Sequence, residues 1–183
     1  MATEHINTEA VRCEDLLHEA GVPENDAEKI CAKLRDVAGG SELSRLKLAV
    51  VAMWRRCHKN DGVACRFYRK MLNAPAWRIE SLMKEYATYL KYLDCMSSYN
   101  DEKWCRRYMP TRREKKNVQD IESIKQHLQK LPVDYAEEED AVVVRVGRGE
   151  RLPESQFKAT ISELKKMGFE FDPETKFWYI RFN

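Results

Sequence analysis

Six cysteines, four histidines and one run of carboxylates are the groups through which this 183-residue chain could do chemistry. Cys57 and His58 with Cys65 nearby invite a zinc reading. His58 follows Cys57 directly, however, and no fourth ligand stands at a workable spacing, so no metal site is expected. Glu137, Glu138, Glu139 and Asp140 are four adjacent carboxylates that repel one another and point in different directions, which reads as an acidic loop and not as a cation cage. Gly147-Arg148-Gly149 lacks the further glycine and lysine of a phosphate loop. A nucleophile, base and orienter would need a histidine, and His5, His18, His58 and His127 fall on exposed helical positions or in a tail. The expectation is no enzyme and no cofactor.

The cysteines Cys13, Cys31, Cys57, Cys65, Cys95 and Cys105 form no CxxC pair, and no signal peptide precedes them. This predicts a reducing, intracellular setting: the nucleus in a eukaryote, the cytoplasm otherwise. Cys13 and Cys31 lie on apolar helical faces, where a free cysteine behaves as a small hydrophobe. No apolar run approaches the roughly 18 residues of a membrane span, so a soluble protein with no membrane partner is expected.

Charge is unevenly spread. The chain totals +2, but residues 1–40 carry 4 basic and 9 acidic groups, 41–116 carry 18 and 8, and 117–183 carry 10 and 13, giving −5, +10 and −3. An acidic partner such as DNA would find its attractive surface in the middle.

The elements that would position these groups follow from periodicity. A first helix, capped by Asn7 or Thr8, carries Cys13, Leu16, Leu17 and Ala20 on one face and ends at Gly21. Pro23 opens a second, striped by Ala27, Ile30, Cys31, Leu34 and Val37 and stopped by Gly39-Gly40. A third, over about 44–59, is the most apolar and is expected to be central. The stretch 62–93 reads as a helix, an Asn73-Ala74-Pro75 break and a longer helix, the pattern of a helix-turn-helix. Residues 96–116, MSSYNDEKWCRRYMPTRREKK, read as a basic linker. Beyond it come a helix over 118–131, a strand over 141–146, a helix from Pro153 with Phe157, Ile161, Leu164 and Met167 inward, and a hairpin turning at Asp172-Pro173-Glu174-Thr175. The fold class is thus α+β: a five-helix domain over 1–95, a linker over 96–117, and a small β-α-β-β module preceded by its own helix over 118–183.

Two resemblances attach to these pieces. LLHEAGVPEN, the Ala-rich second helix, LKLAVVAMWRRCHKNDGV and a helix-turn-helix closing on MKEYATYLKYL together resemble a single cyclin-type repeat of transcription initiation factor IIB. That resemblance implies a cyclin-like fold, a hydrophobic third helix at its centre and a helix-turn-helix able to touch promoter DNA. There is no zinc ribbon and no second repeat. The last 26 residues before Asn183, FKATISELKKMGFEFDPETKFWYIRF, are similar to the nucleic-acid-binding modules of HARP-type annealing helicases, whose hairpin reads YDxxTKxW. Helicase motifs are missing, so only a binding role is implied, carried by Lys165, Lys166, Lys176, Trp178 and Arg181.

The leading expectation is a two-module DNA-binding protein acting in transcription, replication or repair on duplex or single-stranded DNA, alongside other proteins of those processes. Arg66, Arg69, Arg78, Lys84, Arg106, Arg107, Arg112 and Arg113 would anchor phosphates, and Trp77, Arg78 and Ser81 at the start of the fifth helix would lie nearest base edges. Trp104 and Tyr108, interleaved with basic groups, suit base stacking. The alternative is a protein–protein adaptor that uses a cyclin-like fold within a larger complex.

Overall fold

The computed structural model describes residues 11–109 and 121–182. The chain divides into two compact units, Met1–Tyr108 and Met109–Asn183. It is mostly helical with one four-stranded antiparallel sheet, an α+β protein.

In the helical unit, α1 is Cys13–Glu19, α2 Glu24–Val37, α3 Gly40–His58, α4 Gly62–Asn73 and α5 Ala76–Tyr99. The stripe expected for α2 is its core face, with Ala27, Ile30, Cys31 and Leu34 buried. Gly21 ends α1 at φ +99, a left-handed value that a residue with a Cβ adopts only at a cost, and Val22 closes the turn by donating to Leu17 O at 3.0 Å. Two expectations are corrected. Gly39-Gly40 does end α2, but α3 already starts at Gly40, four residues before the expected Ser44. The helix that packs against all four others is α2, while α3 packs on α1, α2 and α4.

One carboxylate organises the α3–α4 corner. Asp61 Oδ1 accepts from the backbone N–H groups of Val63 and Ala64, both at 3.1 Å, capping α4. The same carboxylate accepts from Tyr89 Oη of α5 at 2.9 Å and lies 3.7 Å from Arg56 of α3. The other end of α4 is also held from outside. Lys33 of α2 donates to the carbonyls of Met71 and Leu72 at 3.0 and 2.5 Å, satisfying acceptors that a helix end leaves open.

All six cysteines are paired: Cys13 with Cys31, Cys57 with Cys65 and Cys95 with Cys105. The expectation that Cys13 and Cys31 are free thiols is therefore corrected. They are buried, as small hydrophobes would be, but bonded to each other. Each bridge joins two neighbouring helices and closes a loop that the unfolded chain would otherwise explore.

The polar stretch after the fifth helix is partly folded. Helix α5 continues to Tyr99, and α6, Glu102–Cys105, and a 3-10 turn, Arg106–Tyr108, follow directly. Cys95–Cys105 pins α6 to α5, and Asp101 caps α6 by accepting from Trp104 N at 3.1 Å. Arg112 and Arg113 lie outside the described residues.

The second unit contains α7 (Ile121–Gln129), β1 (Val133–Glu137), β2 (Ala141–Val146), α8 (Glu154–Met167), β3 (Glu170–Asp172) and β4 (Phe177–Arg181), with strand order β1-β2-β4-β3. Its core joins Leu128 of α7 and Leu164 of α8 to Val133, Val142, Val144, Phe169, Trp178 and Ile180. The register pairs Val142 with Ile180 and Val144 with Trp178, so alternate residues of the two central strands face the helices together. The expected β-α-β-β order lacks β1, which the sequence conceals: Val133-Asp134-Tyr135-Ala136-Glu137 has no apolar run. The acidic block is corrected in the same place, because Glu137 is the last residue of β1 and pairs at 2.6 Å with Lys125 of α7. Phe157 is likewise not inward; it is 43% exposed on the first turn of α8. Gly147 turns the chain after β2 at φ +88, where a Cβ would stand 2.2 Å from Glu150 O, so no other residue fits.

Removing the carboxylate of Asp61 tests the corner. Asp61→Ala should lower the stability of the helical unit by about 2–4 kcal/mol, the loss of a cap plus a buried phenol left unsatisfied. Tyr89→Phe should cost only about 1 kcal/mol. Urea midpoints followed by circular dichroism measure both, and equal costs would contradict the assignment.

Candidate nucleic-acid interface

The expected contact residues separate into three groups once their surroundings are known. The first is buried. Arg78 is 1% exposed: its guanidinium donates to Ser81 Oγ at 2.6 Å and pairs with Glu85 Oε2 at 2.7 Å, while Ser81 Oγ donates to Arg78 O. Arg78 and Ser81 therefore face the interior of the helical unit, and their expected place at base edges is corrected. The reason is physical: an arginine can be internal when its charge is paired and its donors are used. Trp77 beside them is only half-exposed. Trp178 is buried in the core of the second unit, its ring tilted against that of Phe171, which corrects its expected contact role as well.

The second group is exposed but dispersed. Arg66 and Arg69 lie on the outward stripe of α4 with Asn73, and Lys84 lies on the outward stripe of α5. That α5 stripe reads Glu80, Lys84, Ala87, Lys91, Asp94, two acidic and two basic groups, and carries no net charge. A helix with a half-buried start and a neutral outer face is poorly suited to lie in a phosphate-lined groove. In the second unit Lys165, Lys166 and Lys176 are exposed and Arg181 is half-buried over the Tyr179 ring at 5.1 Å. Lys176 sits at φ +63 in the hairpin loop, where its N–H donates to Asp172 O at 2.7 Å.

The third group is brought together. Trp104, 51% exposed, precedes Cys105, which is fully buried in its bridge to Cys95. Anchoring one residue inward turns its neighbour outward. The Arg107 guanidinium lies 4.1 Å from the Trp104 ring centre and 4.7 Å from that of Tyr108, held by both rings in cation–π contact. Arg106 and Lys103 are exposed alongside, and Arg106 pairs loosely with Glu102 at 3.2 Å. Tyr99, 70% exposed at the end of α5, was not among the expected contacts. The signal for it was there: Asn100, a left-handed C-cap at φ +47, ends α5 one residue later and leaves the tyrosine on the rim.

Among the described residues no three His, Cys, Asp or Glu side chains converge in a way that could hold a metal ion, and Cys57 and Cys65 are bonded to each other. No helix among them is long and apolar enough to cross a membrane. No protein-family model matches the chain, and no curated protein or solved structure is found similar to it.

Three phenols of the helical unit hold their protons unusually firmly. Burial, and then the Asp26 carboxylate 2.8 Å away, push Tyr68 up; burial and Asp61 do the same for Tyr89; burial raises Tyr86, with Arg56 opposing. A phenol raised in the fold favours the folded state until the unfolded chain begins to ionise near pH 10.0, and that contribution is lost as pH climbs from there toward the folded values. Of the eight tyrosines, Tyr68, Tyr86 and Tyr89 should thus ionise only as the helical unit unfolds. Absorbance near 295 nm and helical signal, followed through the same alkaline titration, would show this as a coincident step. For the buried arginine, Arg78→Ala should cost on the order of 3 kcal/mol in the urea midpoint, since it leaves Glu85 without this cation, and should leave nucleic-acid affinity of the folded protein unchanged.

Proposed function

We propose that this chain is a nucleic-acid-binding protein of transcription, replication or repair that grips its ligand through backbone phosphates and stacked bases, not through a helix laid in a groove. The observation that carries the reading is the exposed Trp104 ring with the Arg107 guanidinium packed on it and Arg106 and Lys103 beside it. Aromatic faces accept any base, and adjacent cations meet the phosphates, which favours single strands and little sequence preference. The +10 charge of residues 41–116 supports it as a source of attraction. The cyclin-type reading of α1–α5 belongs to the same proposal and rests on the sequence resemblance; α5 then serves as packing surface. The HARP-like binding role of the second unit would rest on Lys165, Lys166 and Lys176, with Arg181.

A protein–protein adaptor is the second reading, and the neutral outward stripe of α5 favours it. Such a face repels neither acidic nor basic partners and leaves one exposed stripe along a long helix for docking.

Fluorescence anisotropy with a single-stranded and a duplex oligonucleotide at two salt concentrations separates the readings. Affinity should fall with salt, with a log–log slope of about 0.7 per phosphate contact on single strands. Trp104→Ala should weaken single-strand binding by about 1–3 kcal/mol, and reversing Arg106 and Arg107 to Glu should nearly abolish it. Absence of binding at low salt, or binding indifferent to all three changes, rules the proposal out and leaves the adaptor.

A further inference from the structure

The three cystines differ in surroundings. Cys13, Cys31, Cys95 and Cys105 are buried, whereas Cys57 and Cys65 are both partly exposed at the α3–α4 corner. From these surroundings we infer that Cys57–Cys65 is a thiol-exchange site, opened by a small anionic thiol such as glutathione attacking Cys57 with Cys65 as the leaving group.

The charges around the corner favour an anionic thiol. Arg55, Arg56, His58 and Lys59 crowd the last turn of α3 and its cap, and Arg66 follows Cys65 on α4. The opposing acidic group is Asp61, whose carboxylate is engaged by two backbone N–H groups, by Tyr89 and by Arg56. Tyr86 and Tyr89 of α5 contribute neutral phenols. The His58 ring packs on Trp54 at 3.9 Å between ring centres. The surroundings of this cystine are cationic.

Its direction follows from the two helices it joins. Cys65 lies in the first turn of α4, at the positive end of that helix dipole and next to Arg66, where a thiolate is stabilised. Cys57 lies in the last turn of α3, at a negative end that works against a thiolate and offsets the cations of that turn, whereas at Cys65 the helix dipole and Arg66 act in the same direction. The sulfur with the more stable thiolate leaves faster, so the attacking thiolate bonds to Cys57 Sγ as the S–S bond breaks and its electron pair passes to Cys65 Sγ. A second thiolate then attacks the mixed disulfide, releasing the oxidised small thiol and a Cys57 thiolate, which takes a proton from water. Two electrons pass from the two small thiols to the two cysteine sulfurs. The corner can withstand this, because Asp61 still caps α4 and still ties it to α3 and α5 when the cross-link is open. Nothing in this chemistry requires nucleic acid.

The oxidised full chain is incubated in graded reduced and oxidised glutathione, quenched with an alkylating reagent and mapped by peptide mass spectrometry. Cys57 and Cys65 should be labelled on the order of tenfold sooner than the other four, with helical signal retained and the trapped glutathione adduct on Cys57. Simultaneous opening of all three cystines, earlier opening of either buried one, or an adduct on Cys65 overturns the inference. In Cys57→Ser the remaining Cys65 thiol should react with iodoacetamide at a lower midpoint pH than the remaining Cys57 thiol does in Cys65→Ser. The reverse order overturns the inference, and should either variant fail to fold, the wild-type map decides alone.

Discussion

A single partly buried carboxylate, that of Asp61, joins three helices, and each of its charged oxygens is met by donors from the surrounding chain. The backbone supplies two donors, α5 a phenol and α3 a guanidinium. Each of those groups is in turn positioned by the helix that carries it. The register of α4 on α3, and of α5 on α4, is therefore constrained by one group that has to be satisfied from several directions at once, a constraint that apolar packing alone does not impose. The rings of Phe67, Tyr86 and Tyr89 pack against one another, and Tyr89 carries that cluster to the carboxylate through its hydroxyl.

The same logic accounts for what was and was not readable in the sequence. Helix α2 was legible because Ala27, Ile30, Cys31 and Leu34 repeat with the helical period and nothing else competes for that face. Arg78 was not, because periodicity sorts residues by hydrophobicity, and a charged side chain is assigned outward until its partners are known. Ser81 and Glu85 lie three and seven residues on, along one side of α5, a spacing that could have suggested the internal network. Strand β1 was hidden by its composition, and the cystine pairs by their dependence on tertiary placement: Cys13 meets Cys31 only after α1 folds back on α2. Trp104, Arg106, Arg107 and Tyr108 were the part of the candidate interface that composition did disclose. The packing of Arg107 on the Trp104 and Tyr108 rings came only with the turn that follows α6.

Three cystines bear on the cellular setting. Such bonds persist where the surroundings are oxidising and are uncommon in a glutathione-reduced interior. The intracellular setting expected from the cysteine spacing thus requires that burial protect Cys13–Cys31 and Cys95–Cys105. The second bridge matters most for the interface, since α6 has only four residues and would not persist as a helix without an anchor.

Lys33 gives the helical unit a property of another kind. By donating to the carbonyls of Met71 and Leu72 it closes the C-terminal end of α4 with a group from α2, as Asp61 closes the N-terminal end. Helix ends ordinarily fray on their own, giving up amide protons to solvent well before the rest of a protein opens. With one end closed by Lys33 and the other capped by Asp61, itself tied to Tyr89 of α5, α4 should have no cheap local opening of that sort. Its amides should therefore exchange on the schedule of the whole unit, together with those of α2.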